Sequence, residues 1–62
     1  MIAHRKAIKL LVKAGYFLKR HGGNHDIYFN AELRRAIPLK RHGFDKNDLR
    51  YIEKEIELGE RR

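Results

Sequence analysis

Apolar residues fall first into a helical stripe. Ala7, Leu10, Leu11 and Ala14 stand at i, i+3, i+4 and i+7, with Ile8 and Val12 widening the stripe and Arg5, Lys6, Lys9 and Lys13 on the other faces. This spacing predicts a helix over residues 4–14, stopped by Gly15 in the position after its last turn. The period then changes. Tyr16-Phe17-Leu18-Lys19-Arg20 and His25-Asp26-Ile27-Tyr28-Phe29 read as two short strands joined by the turn sequence His21-Gly22-Gly23-Asn24. Asn30-Ala31-Glu32 is a second, weaker turn, and Arg34-Arg35-Ala36-Ile37 a third strand that Pro38 confines to an edge or an end. Alternation sets Ile27 and Phe29 on one face with His25, and Asp26 and Tyr28 on the other. The pattern leaves open which of these faces is the core.

Lys40-Arg41-His42-Gly43 follows as a basic loop. Asp45 is the expected N-cap of a second helix, with Asp48 at N3 and Phe44 and Leu49 at the positions of a hydrophobic staple. Leu49, Ile52 and Ile56 form that helix's stripe, Glu53, Lys54, Glu55 and Glu57 face water, and Gly59 is its expected end. The order is helix, three strands, helix. A chain of 62 residues builds one core, so residues 1–62 are expected to form a single α+β domain with both helices on one face of an antiparallel sheet. The other sheet face is left to water or to a partner.

Composition narrows the function. The chain has no cysteine, which removes disulfides and cysteine-type zinc sites. No run approaches the roughly 20 apolar residues of a membrane span, and no apolar leader core follows Met1, so the expected compartment is the cytoplasm. The net charge is +7, and it is uneven. Residues 1–20 carry six basic groups and no acid, whereas residues 44–62 carry five basic groups against six acids. A positive field on the front of a small domain suits a polyanion, nucleic acid first. The cations expected to make the contact are Lys19, Arg20, Arg34, Arg35, Lys40 and Arg41. Their affinity for RNA should fall with salt, because each neutralised phosphate releases counterions. Tyr16 and Tyr28 are the candidates to stack on bases; aromatics in so small a domain are more often core, and Phe17 and Phe29 are given no role.

Lys9-Leu10-Leu11, Ala14-Gly15-Tyr16, Lys19-Arg20, Gly22-Gly23-Asn24-His25-Asp26-Ile27-Tyr28, Arg34-Arg35-Ala36-Ile37-Pro38 and Leu49-Arg50-Tyr51-Ile52 together resemble the HicA family, the small mRNA-cleaving toxins of HicA–HicB toxin–antitoxin modules. The resemblance extends from about Arg5 to Leu58. It implies a fold like a double-stranded-RNA-binding domain, an endoribonuclease acting on mRNA, and a HicB-type antitoxin as partner. Any contact with DNA would come only through the toxin–antitoxin complex. There are departures. Asn24 precedes the histidine where the family often has serine. Lys40 stands where a second histidine is common, the nearest histidine being His42. Lys46 and Asn47 replace a frequent Pro-Gly pair.

By the same resemblance His25 corresponds to the histidine on which the family's activity depends. The chemistry is compatible. Cleavage through the RNA's own 2′-OH needs a base for that proton, an acid for the leaving 5′ oxygen and cations around the phosphorane, but no cofactor. An imidazole supplies either proton role near neutrality. Taken by itself, a histidine after a Gly-Gly-Asn turn would more often be a polar strand-starter, and it is the matching motif that reverses the odds. His21 and His25, four apart, have a metal-ligand spacing, but Gly22-Gly23 breaks the helix that spacing requires, and no metal site is expected. His4 is expected to be exposed. The competing reading is a non-catalytic RNA-binding module of the same fold, which would not need His25.

Overall fold

A computed structural model describes residues 2–61. Its elements run α1 (Ile2–Lys13), β1 (Phe17–His21), β2 (His25–Asn30), β3 (Arg35–Lys40) and α2 (Lys46–Glu60). The strands form one antiparallel sheet in the order β1-β2-β3. The expected α+β arrangement, similar to a double-stranded-RNA-binding domain, is therefore present. No helix among the described residues is long and apolar enough to cross a membrane.

The end of α1 is built as its sequence requires. Gly15 takes φ +94°, a left-handed conformation that costs glycine little. Its N–H donates to the Val12 carbonyl at 3.0 Å, and the Tyr16 N–H donates to the Leu11 carbonyl at 2.9 Å, which is the Schellman pattern. Asn30, buried on β2, adds a tertiary lock. Its amide donates to the Ala14 carbonyl at 3.0 Å while its oxygen accepts from the Leu33 N–H at 3.0 Å. One side chain thus ties the end of α1 to the β2–β3 turn, where Arg34 is held at φ +53°.

One core takes residues from every layer. Ala7 and Leu11 of α1, Ile52 and Ile56 of α2, and Tyr28, Ile37 and Leu39 of the sheet are all buried, joined by Tyr16 and Phe44. The register pairs Tyr28 with Ile37 and Asp26 with Leu39, so the helices cover the face carrying Tyr28 and Asp26. The face carrying His25, Ile27 and Phe29 is open. This settles the choice that alternation leaves undecided.

Three expectations are corrected. The third strand runs from Arg35 to Lys40 and does not stop at Ile37; Pro38 lies within it and marks the edge alternative, since β3 is bonded on one side only and an edge strand tolerates a residue without an N–H. Gly59 does not end α2. It is buried inside the helix, where an added Cβ would lie 3.0 Å from the Arg35 side chain and 3.1 Å from the Tyr16 hydroxyl, so it serves as a close-packing position. His4 is half-buried, its ring edge-on to Phe44 at 5.3 Å.

The start of α2 follows its expected capping box. The Asp45 carboxylate accepts from the N–H groups of Asn47 and Asp48 at 2.9 and 3.1 Å, and Asp48 accepts from the Asp45 N–H at 3.0 Å. The bond from the Asp48 N–H is the leading cause that holds the Asp45 carboxyl below its ordinary pKa. A carboxyl lowered on folding stabilises the fold above its unfolded pKa and loses that contribution as pH falls through its folded value. Asp45→Asn is therefore expected to keep most of the cap at neutral pH but to flatten the acid side of a thermal-melting profile, and Asp45→Ala to lower the melting point at neutral pH as well. Circular dichroism melts across the carboxylate range would check this. A wild-type profile no steeper than that of Asp45→Asn would remove the cap from the account.

Candidate active site on the open sheet face

The β1–β2 turn is fastened from both sides. The Gly22 N–H donates to the His25 carbonyl at 2.7 Å, and the Arg41 N–H to the Asn24 carbonyl at 3.1 Å. The Arg41 guanidinium donates to the carbonyls of Gly22 and Gly23, and its Nε lies 3.5 Å from the Asp26 carboxylate. His21 Nδ1 is 2.8 Å from that same carboxylate. This network lies on the Asp26 side of the hairpin. It fixes the backbone that presents His25 while leaving its side chain exposed.

His25 begins β2 directly opposite Lys40, the last residue of β3. Both line a cleft of about 170 Å³ at the edge of the sheet, together with Pro38, Phe44 and three α2 residues, Asp48, Tyr51 and Ile52. The apolar floor is Phe44, Pro38 and Ile52, and the polar groups are an imidazole, an ammonium, a carboxylate and a phenol. Lys40 Nζ stands 3.8 Å from Asp48, so the capping carboxylate also steadies the lysine beside the histidine. The first-turn amides of α2 are already engaged by Asp45, so positive charge in the cleft comes from Lys40 rather than from the helix end.

The strand β1 adds cations through a bulge. Its register with β2 pairs Leu18 with Tyr28 and then Arg20 with Ile27, skipping Lys19. In a regular strand Lys19 and Arg20 would point to opposite faces. The extra residue removes that constraint. Arg20 is paired on the open face, and Lys19 Nζ lies 4.5 Å from the centroid of the Phe29 ring on the same face.

The expected contact residues thus divide. His25, Lys40, Arg20 and Lys19 are brought to one face. Arg34 and Arg35 lie at the opposite end of the sheet, Arg34 in the β2–β3 turn and Arg35 at the start of β3, and Arg35 is committed to α2, donating to the Glu55 carbonyl at 2.9 Å and its carboxylate at 3.0 Å. Arg41 is committed to the turn. Tyr28 is 7% exposed and Tyr16 is 3% exposed, so neither ring is offered to a base; burial, with Asp26 as a smaller contributor, raises the Tyr28 phenol above its usual pKa. The aromatics of the open face are instead Phe17, which is exposed, and Phe29, which is half-buried. His42 is exposed in the loop and does not line the cleft. Among the described residues no group of three or more histidine, cysteine or acidic side chains is placed to hold a metal ion.

Tyr51 and Asp48 carry no site role in the sequence reading. One signal was present for Tyr51: it is an aromatic on α2 outside the Leu49–Ile52–Ile56 stripe, and it is indeed half-exposed. Nothing local marked Asp48 beyond its capping position.

Comparison with curated proteins and with solved structures gives no match. The comparison with family models does. Residues 4–58 match the model for the HicA toxin of bacterial toxin–antitoxin systems, a span holding both helices' buried stripes, the whole sheet and the His25 cleft. Matched over most of its length, this chain belongs to the HicA toxin family.

Proposed function

We propose that this chain is a metal-independent endoribonuclease that cleaves mRNA, with His25 as the proton-transfer residue, acting in the cytoplasm as one self-contained domain. The observation that carries the reading is the pairing of an exposed imidazole with a lysine across two adjacent strands, in a cleft on a basic face. The RNA 2′-OH attacks the adjacent phosphate. His25 takes its proton, the bond from the 2′ oxygen to phosphorus forms and the bond to the 5′ oxygen breaks. Lys40 offsets the charge gathering on the phosphorane. Lys40 and Tyr51 are the donors beside it from which the leaving oxygen takes a proton. The products are a 2′,3′-cyclic phosphate and a free 5′-OH.

The exposed position of His25 also supports regulation by occlusion. A HicB-type antitoxin covering the open face would bury the imidazole and compete for Lys19, Arg20 and Lys40 with complementary charge. DNA contact, if the pair binds an operator, belongs to the complex.

The test is cleavage of a single-stranded RNA by the purified chain in excess EDTA, with the product ends identified by mass spectrometry. Cleavage is expected to continue in EDTA and to leave cyclic phosphate. A product bearing a 5′-phosphate, or a rate abolished by EDTA and restored by a divalent cation, would overturn the mechanism. RNA binding with no cleavage would favour the non-catalytic module.

A further inference from the structure

The open sheet face has an apolar half that the chemistry at His25 does not use. Phe17 is 50% exposed and sits opposite Phe29, the two rings edge to face with centroids 6.0 Å apart. On its other side Phe29, itself half-buried, faces Ala36, whose methyl group covers little of a ring. Lys19 holds its ammonium 4.5 Å from the Phe29 centroid. Further along the same face come Ile27 opposite Pro38, then His25 opposite Lys40. At about 3.3 Å per residue, Phe29 lies about 13 Å along β2 from His25.

Charge identifies what this surface fits. Lys19, Arg20 and Lys40 flank it, and none of the strand residues of this face is acidic, Asp26 being on the helix-covered side. Asp48, the carboxylate bordering the cleft, is engaged with Lys40 and the Asp45 N–H. Flat apolar rings, a cation held against one of them and a positively charged margin together match a polyanion that carries flat aromatic groups. A single-stranded nucleic acid is such a ligand: its bases stack on aromatic side chains while its phosphates meet the cations. In a duplex the base faces are hidden in the stack.

We propose that Phe17 and Phe29 are a stacking platform for unpaired bases that flank the scissile phosphate at a distance, about 13 Å along the sheet from His25, making this face selective for single-stranded RNA despite the helix–sheet–helix order of a duplex-binding domain. The proposal deepens the RNA-directed reading above, and its test is separable from it. The probe is a 2′-O-methyl oligonucleotide, which cannot be cleaved because its nucleophile is blocked. It is presented as a single strand, as a duplex of the same sequence, and as an abasic ribose-phosphate strand of equal length, with binding followed by fluorescence anisotropy. The wild-type chain is expected to bind the single strand more tightly than the other two. Phe17→Leu and Phe29→Leu keep an apolar side chain on the sheet but remove the ring. Each is expected to weaken single-strand binding by about 5- to 150-fold, the range for losing one base stack, and to leave abasic binding unchanged.

Single-strand binding by both folded variants at the wild-type level overturns the platform. So does a wild-type chain that binds duplex or abasic strand equally well. A stable dimer in sedimentation that Phe17→Leu dissociates would assign the face to a second copy of the chain, and also overturns it. Should the platform fail while natural RNA is still cut in EDTA, the nuclease reading stands without it. Base-dependent binding lost in the variants, with no cleavage of natural RNA, upholds the platform and removes the nuclease.

Discussion

His25→Ala is expected to slow RNA cleavage by about 100- to 10,000-fold, the span usual for losing one positioned acid or base. The structure makes this substitution informative, because little else depends on the side chain. The His25 imidazole is exposed. The contribution of this residue to the turn is its backbone carbonyl, which accepts from the Gly22 N–H whatever side chain is present. The cations of the face and the Arg41 clasp on the Gly22 and Gly23 carbonyls are untouched. The variant should therefore fold and keep most of its affinity for RNA, so that the loss appears in turnover and not in binding. His21→Ala is the matching control. It removes a histidine four residues away, but one that faces Asp26 on the other side of the hairpin; with the Arg41 contacts to the turn intact, it should slow cleavage far less than His25→Ala. Single-turnover cleavage with both variants, alongside circular dichroism and anisotropy, separates the cases. A folded His25→Ala that cuts RNA as fast as the wild type would end the catalytic assignment, and equal losses in both variants would point to the turn instead of the imidazole.

The features legible in the sequence are those decided by neighbouring residues. Gly15 stops α1 because only a local left-handed turn is needed there, and Asp45 caps α2 through amides two and three residues away. The Gly22-Gly23 turn is equally local in its signal, although Arg41 from beyond β3 fastens it. The sheet face is different. Tyr28 and Phe29 are adjacent, both aromatic, and each would suit a core. What buries Tyr28 is its partner Ile37 on β3 and the helices above them, contacts that no spacing within β2 encodes. Tyr28, expected to stack on bases, is accordingly in the core, and Phe29, given no role by its sequence, lies on the open face. Gly59 shows the same limit from the other side. A glycine near a helix end reads as a stop signal, but here the constraint comes from Tyr16 and Arg35, which arrive from distant parts of the chain. The cationic set divides for a similar reason: Arg20 and Lys40 are joined by strand register, while Arg35 is drawn away by Glu55 of α2. His25 itself became a candidate through its motif, and the register then supplied Lys40 as its neighbour, at the position where the family often has a second histidine.

Ile52→Ala should cost the protein much of its stability and its activity together. Ile52 is 1% exposed, in the middle of the α2 stripe, and it also forms part of the floor of the His25 cleft. Truncating a buried isoleucine to alanine costs about 2–5 kcal/mol, the spread reflecting how far the site can collapse. For a chain of this length, total stability at 0.05–0.15 kcal/mol per residue is only about 3–9 kcal/mol. The variant is therefore expected to be partly or wholly unfolded at physiological temperature, with a sharply lower urea midpoint. Ile52→Val removes a single methyl group and should cost about 0.5–1.5 kcal/mol, leaving a folded protein. The pair distinguishes packing from chemistry. If the floor matters only through stability, Ile52→Val measured well below its melting point should cleave at the wild-type rate. If the floor also positions Tyr51 and Lys40 against His25, turnover should fall in the folded valine variant while RNA affinity holds. An Ile52→Ala chain with the wild-type urea midpoint would contradict the placement of Ile52 in the core, and with it the seating of α2 that closes the cleft.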